Sequence, residues 1–163
     1  ILLALANNRL NRLLLSVLQG KGGGELTYRV INSVIGFDMG MSHPVSGIGL
    51  GGVPLLYQKY RPIWAGMSSE LIYQLHSTPF QLWAELGIWG IVPGVAMSVI
   101  LGYGIFRVVK GNLLTVNSDK VALWSLSGGL LGYGVMSLTD YQLDNLAISG
   151  TLVIYVACLA TLL

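Results

Sequence analysis

Gln74-Leu75-His76-Ser77-Thr78-Pro79-Phe80-Gln81-Leu82-Trp83-Ala84-Glu85-Leu86-Gly87 is the stretch where a long polar and aromatic segment passes into an uninterrupted apolar one. Thr78, Pro79 and Gln81 predict a helix start. Thr78 would be the N-cap, Pro79 the first helical residue, and Gln81 the closing member of a T-x-x-Q capping box. His76 then lies just outside a helix N-terminus, at the edge of a bilayer. Imidazole is the side chain type that exchanges protons near neutral pH. His76 is therefore the leading catalytic candidate in the chain.

The bilayer follows from composition. Of 163 residues, 53% are hydrophobic and only 10% charged, with a mean hydropathy of +0.68. Soluble domains carry about 25% charged residues, so the expectation is a membrane protein. Its length suits one domain or part of a larger one. The formal net charge of +2 is too small to point to nucleic acid. Cys158, the single cysteine, excludes an internal disulfide and reads as an apolar packing residue. Two histidines, one cysteine and unclustered carboxylates argue against a metal site, so no cofactor is expected.

Upstream of the opening stretch the chain is punctuated. Residues 1–18 are apolar except for Asn7, Asn8, Arg9, Asn11 and Arg12, which interrupt any signal-peptide core. They suit a truncated transmembrane helix or an interfacial one whose arginines reach headgroups. The start at Ile1 adds to the expectation of a C-terminal fragment of a larger multi-spanning protein. Gly20, Gly22, Gly23 and Gly24 then make a flexible connector. Residues 25–42 show a weaker helical pattern, carried by Leu26, Val30, Val34 and by Ile31, Ile35. Arg29 falls in the first turn, where the helix dipole favours anions and not cations. It is either a surface arginine or an anion ligand.

His43-Pro44-Val45-Ser46-Gly47-Ile48-Gly49-Leu50-Gly51-Gly52 follows. Gly47, Gly49 and Gly52 formally match G-x-G-x-x-G, but no strand precedes them and no acidic residue closes a βαβ unit, so a dinucleotide site is excluded on context. A glycine turn whose N–H groups form an anion nest is what remains, with His43 as a turn residue. Residues 55–75 carry Tyr57, Tyr60, Trp64 and Tyr73 among Lys59, Arg61 and Glu70. These are an interfacial aromatic belt, or a surface on which sugars stack while Arg61 pairs with phosphate.

Three spans are expected downstream, over 86–106, 121–139 and 146–163, each near bilayer length. Gly128-x-x-x-Gly132 would give the second a small-residue packing face. The repeat Leu-Gly-Tyr-Gly at 101–104 and 131–134 lacks the Thr-Val of a potassium filter and reads as packing glycines. Arg107, Lys110 and Lys120 make the 107–120 connector cationic, whereas Asp140 and Asp144 make 140–145 anionic. The positive-inside rule places 107–120 in the cytoplasm. The 140–145 turn and the 20–85 segment with His76 then face outward, where a group donor must arrive already energised. The fold class expected is all-α: polytopic membrane helices with a long periplasmic helical and loop segment.

Taken in order, Arg29, His43-Pro44-x-x-Gly47-x-Gly49, a Tyr-rich stretch and His76-Ser77-x-x-Phe80-Gln81-x-x-x-Glu85-x-Gly87-x-x-Gly90 resemble the O-antigen ligase and polymerase (Wzy-type) family. The resemblance covers about residues 25–106. It implies an inner-membrane glycosyltransferase, metal-independent and inverting, with its active face in the periplasm. Such an enzyme moves a glycan from undecaprenyl pyrophosphate to a lipid or glycan hydroxyl. His76 would be the general base, Arg29 would hold the donor pyrophosphate, and Arg61 would be a second cation. Family ligases use a further arginine upstream of this chain's start. Ser77 stands where Asn is more common.

Glu85 reads either as a partner supporting the site or as an acid beside a positive helix end. Rival expectations are a transporter of a small anion such as bicarbonate, and an accessory membrane subunit. A transporter should carry ionisable groups within its spans, and the three expected spans have none.

Overall fold

The computed structural model describes residues 25–66 and 71–163. The helix expected over 1–18 and the glycine connector lie outside the described residues. Among those described, the chain is all-helical, with six α-helices, one 3-10 turn and no strand. The helices are α1 (Glu25–Ser42), α2 (Val53–Tyr60), α3 (Thr78–Leu86), α4 (Ile88–Gly111), α5 (Asn117–Ser137) and α6 (Leu146–Ala160), with the 3-10 turn at Ile63–Ala65.

Helix α1 forms because Ile31, Ile35 and Met39 recur every four residues and so share one face. That face is buried against Val53 and Tyr57 of α2, Leu75, and Ala84 of α3. Full burial of a side chain such as Ile35 contributes roughly 1.5–3 kcal/mol as an upper estimate. Two glycines on α1 let α3 approach. A Cβ on Gly36 would fall 2.7 Å from the Leu75 side chain, and one on Gly40 would fall 2.1 Å from the Trp83 ring. Trp83 Nε1 donates to Phe37 O at 3.2 Å across the same contact. Inside this core Tyr57 Oη donates to Asn32 Oδ1 at 2.6 Å. Tyr57 is 1% exposed, so it belongs neither to an aromatic belt nor to a sugar-stacking surface. Trp64 and Tyr73 do remain exposed.

A second core lies farther along, where Val108 of α4, Leu123 of α5 and Leu159 of α6 are buried together. The expected Gly128/Gly132 face meets nothing within 4 Å among the described residues. Gly129 is the close-approach position instead, since a Cβ there would fall 2.7 Å from the Tyr155 ring.

Among the described residues, one helix is long and apolar enough to cross a membrane. α4 has 24 residues and none of its apolar window is buried. At 1.5 Å per residue it reaches about 36 Å, against about 30 Å of hydrocarbon. The segment expected to be continuous from residue 86 instead breaks at Gly87, so α4 starts at Ile88 and runs on to Gly111. α6, expected over 146–163, is a shorter apolar helix of 15 residues. α5 is long enough, but it opens on Asn117, Ser118, Asp119 and Lys120 and is less apolar.

Candidate functional site

The turn at His43–Gly52 is sewn onto the end of α3. Ile48 N donates to Ala84 O at 2.9 Å, Gly49 N to Glu85 O at 3.0 Å, and Ile88 N to Pro44 O at 2.8 Å. The approach is so close that Cβ atoms are excluded from both sides. One on Gly47 would fall 2.2 Å from the Glu85 carbonyl, and one on Gly87 would fall 2.5 Å from Pro44 O. Both glycines have positive φ, +64° and +61°, which other residues adopt at a cost. The P-x-x-G-x-G and E-x-G motifs are therefore two halves of one packing joint.

This corrects the anion-nest expectation. The N–H groups of Gly47, Ile48, Gly49 and Gly52 all donate to backbone carbonyls of the chain. Gly51 N donates to Glu85 Oε1 at 3.0 Å, so the anion held by the turn is the protein's own carboxylate. Glu85 lies in the last turn of α3, two residues before the Gly87 N-cap of α4, and not in a first helical turn. Burial pushes its carboxyl above the ordinary glutamate range, against the lowering pull of the Gly51 N–H and the Gln81 amide.

His76 lies two residues before α3, as expected, but the capping differs. Ser77 occupies the N-cap position and makes no side-chain cap bond. Thr78 Oγ1 instead donates to Asp140 O at 3.0 Å, and Gln81 Oε1 accepts from Leu75 N at 2.9 Å. The capping box fails because tertiary partners claim both of its side chains.

Those partners bring distant parts of the chain together at the turn between α5 and α6. His76 Nδ1 lies 3.4 Å from Asp140 Oδ1. Arg29 Nη1 donates to Thr139 O, and Gln74 Nε2 to Asp144 Oδ2. Arg29 and His76 thus meet the same two-residue step, Thr139–Asp140, from α1 and from the loop before α3. Partial burial raises the Asp140 carboxyl, but bonds from the Gln142 amide, His76 and the Tyr141 N–H outweigh it and lower the value below the ordinary aspartate range. Asp140 therefore stays ionised beside His76. The His76 side chain is 48% exposed, open to an incoming group.

Arg61 is placed differently. Its Nε donates to Gly66 O at 2.7 Å and its Nη2 to Ala65 O at 3.2 Å, closing the 3-10 turn of its own loop. Its guanidinium also lies 5.9 Å from the centre of the Tyr57 ring. No described bond joins it to the Thr139–Asp140 step. His43 is a turn residue, with Nδ1 2.9 Å from Ser42 Oγ. Among the described residues, no three His, Cys, Asp or Glu side chains come close enough to share a metal ion.

The family model described as O-antigen ligase matches residues 1–95, more than half of the chain. The chain belongs to the O-antigen ligase family. The match takes in Arg29, both glycine motifs, His76 and Glu85, so the packing joint and the histidine loop lie within the matched region. Thr139 and Asp140 lie beyond it, and their meeting with Arg29 and His76 is known from the fold alone. The family works on glycans at the bacterial inner membrane and implies a ligase- or glycosyltransferase-like enzyme. No curated protein and no solved structure matches this O-antigen ligase family chain.

Proposed function

We propose that the chain carries part of the active site of a multi-spanning membrane glycosyltransferase that moves a glycan from a polyprenyl-pyrophosphate donor to a hydroxyl of a lipid or glycan acceptor. The observation that carries this reading is the convergence of Arg29 and His76 on the Thr139–Asp140 step, in a chain of the O-antigen ligase family.

The geometry supports a role for each residue. With Nδ1–H directed at the Asp140 carboxylate, His76 Nε2 carries the lone pair. Nε2 takes the proton of the acceptor hydroxyl as its oxygen bonds to the anomeric carbon of the donor sugar. The bond from that carbon to the pyrophosphate oxygen breaks, and the pyrophosphate leaves with the electron pair. Attack from the side opposite the leaving group inverts the anomeric centre. A positioned general base of this kind contributes about 10²–10⁴-fold. The departing pyrophosphate needs fixed positive charge, which Arg29 supplies because a guanidinium stays ionised and binds phosphate bidentately. Arg61 is proposed only as a more distant donor contact.

The Gln74–Asp144, His76–Asp140 and Thr78–Asp140 contacts put the histidine loop and the 140–145 turn on one side of α4. That agreement supports the expected arrangement, in which both face the periplasm, away from the cationic 107–120 connector. Undecaprenyl pyrophosphate is the donor carrier proposed for that face.

The test uses the full-length gene in its deletion strain. Surface-polysaccharide ladders are compared after restoring wild type or His76→Ala at equal protein level. The reading expects wild type to restore the ladder and His76→Ala to leave lipid-linked glycan accumulating. Equal restoration by both removes His76 from the mechanism, and a deletion that alters no glycan removes the glycosyl-transfer reading.

A further inference from the structure

His76 is held in an unusual backbone conformation. Its φ is +52°, and Asn112 is the one other non-glycine with positive φ among the described residues. Asn112 is a helix C-cap, where left-handed residues are routine. His76 is not at a C-cap, so something else must hold it there. Single left-handed residues persist only where the surroundings over-determine them.

Besides the contacts of Gln74, His76 and Thr78 with the 140–145 turn, one buried side chain holds the loop from within. Gln81 Oε1 accepts from Leu75 N at 2.9 Å, on one side of His76, and Gln81 N donates to Ser77 O at 2.9 Å, on the other. The second is the first backbone bond of α3; the first is specific to the glutamine side chain, which therefore fixes the peptide just before the histidine. Leu75, Ser77 and Gln81 are all buried, at 1%, 4% and 2% exposed, so water does not compete for these bonds. The direction of the Gln81 amide is also fixed. Leu75 N–H can only donate, so the amide oxygen must face it, and Gln81 Nε2 then donates to Glu85 Oε1 at 2.9 Å. The same Glu85 oxygen accepts from Gly51 N. A continuous chain of bonds thus runs from the glycine turn through Glu85 and Gln81 to the backbone that aims His76.

We infer that Gln81 is a positioning residue: oriented by Glu85, it holds the Leu75–His76–Ser77 peptide in the conformation that presents the imidazole to Asp140 and to the acceptor. The inference rests on the glycosyl-transfer reading for its activity readout.

The polarity of the clamp supplies the test. Gln81→Glu keeps an acceptor for Leu75 N–H but sets two carboxylates against each other with no N–H between them. Glu85→Gln keeps an acceptor oxygen for both of its donors. In the double variant the carboxylate at position 81 accepts from Leu75 N–H and from the amide at position 85. The bond between positions 81 and 85 is restored with the charge moved one turn, and Gly51 N–H turns to the oxygen of the position-85 amide. The four full-length proteins, wild type included, are assayed in membranes for glycan transfer alongside His76→Ala, with kcat and KM measured separately.

Gln81→Glu should lower kcat by about tenfold or more with KM for donor and acceptor changed by less than about twofold, as expected when a reacting group is misplaced. Glu85→Gln should cost less, and the double variant should recover most of the lost kcat. Wild-type kcat in Gln81→Glu, a loss confined to KM or to the amount of folded protein, or no recovery in the double variant overturns the inference. Full activity in His76→Ala overturns the glycosyl-transfer reading instead, so the two failures are told apart.

Discussion

Gly47 lies directly against the carbonyl of Glu85, so close that a Cβ on the glycine would fall 2.2 Å from it. Two motifs 38 positions apart, counting from 47 to 85, are thereby one structural joint. Gly47 is required both for its φ of +64° and for the space, whereas Gly49 at φ +95° has nothing within 4 Å. Gly47→Ala should therefore destabilise by about 3 kcal/mol or more, combining backbone strain with overpacking. Gly49→Ala should cost only the backbone part, about 1–2 kcal/mol. Thermal melting of the two purified full-length variants checks the order. Equal costs would show that the contact with Glu85 is dispensable.

The two perturbed carboxylates predict opposite pH slopes. Glu85 is raised by burial, so its contribution to stability is present below the ordinary glutamate value and is lost as pH rises through the folded value. Asp140 is lowered, its bonds outweighing partial burial, so its contribution is present above the ordinary aspartate value and is lost as pH falls through the folded value. Melting temperature against pH should show Glu85→Gln gaining on wild type as pH rises across the mildly acidic range. Asp140→Asn should lose less than wild type as pH falls below the ordinary aspartate value. Parallel curves for either variant would contradict the assigned shift.

The backbone of His76 predicts a stability difference separate from chemistry. Glycine accepts a φ of +52° without penalty, whereas alanine does not. His76→Gly should be more stable than His76→Ala by on the order of 1 kcal/mol. Both should lack transfer activity. Denaturation of the two variants measures the difference, and an alanine variant of equal stability would mean that the loop relaxes out of the left-handed region.

Part of this is legible in the sequence, and the limits have physical causes. Pro79 and the polar run before it mark a helix start within one residue, because proline fixes φ and needs no N–H partner. The capping box does not form because Thr78 and Gln81 bond outside their own helix, to Asp140 O and Leu75 N. The break at Gly87 is hidden in a continuous apolar run, and only the close approach of Pro44 O reveals it. His76 and Arg29 can be singled out by type and spacing. Asp140 cannot, since it lies 64 residues beyond His76, outside any local pattern. In the sequence it reads only as a charge that sets topology. Arg61 carries the right charge in a plausible loop, yet its bonds go to Ala65 and Gly66.

Asp140 accordingly carries a prediction of its own. Removing the carboxylate 3.4 Å from His76 Nδ1 leaves the imidazole without its orienting partner. Asp140→Ala should lower kcat by about ten- to a hundredfold, short of the loss from removing the base itself. Asp140→Asn, which keeps one acceptor oxygen, should lose less. Single-turnover transfer assays with full-length protein check this. A wild-type kcat in Asp140→Ala would mean that the contact with His76 plays no part in the reaction.

The most direct measurement is glycan transfer by purified full-length protein in lipid, with a defined polyprenyl-pyrophosphate-linked glycan and its acceptor, for wild type and His76→Ala. The account predicts a fall in kcat of about 10²–10⁴-fold for His76→Ala at unchanged donor affinity, the loss of a general base. A variant that transfers glycan at the wild-type rate would contradict it.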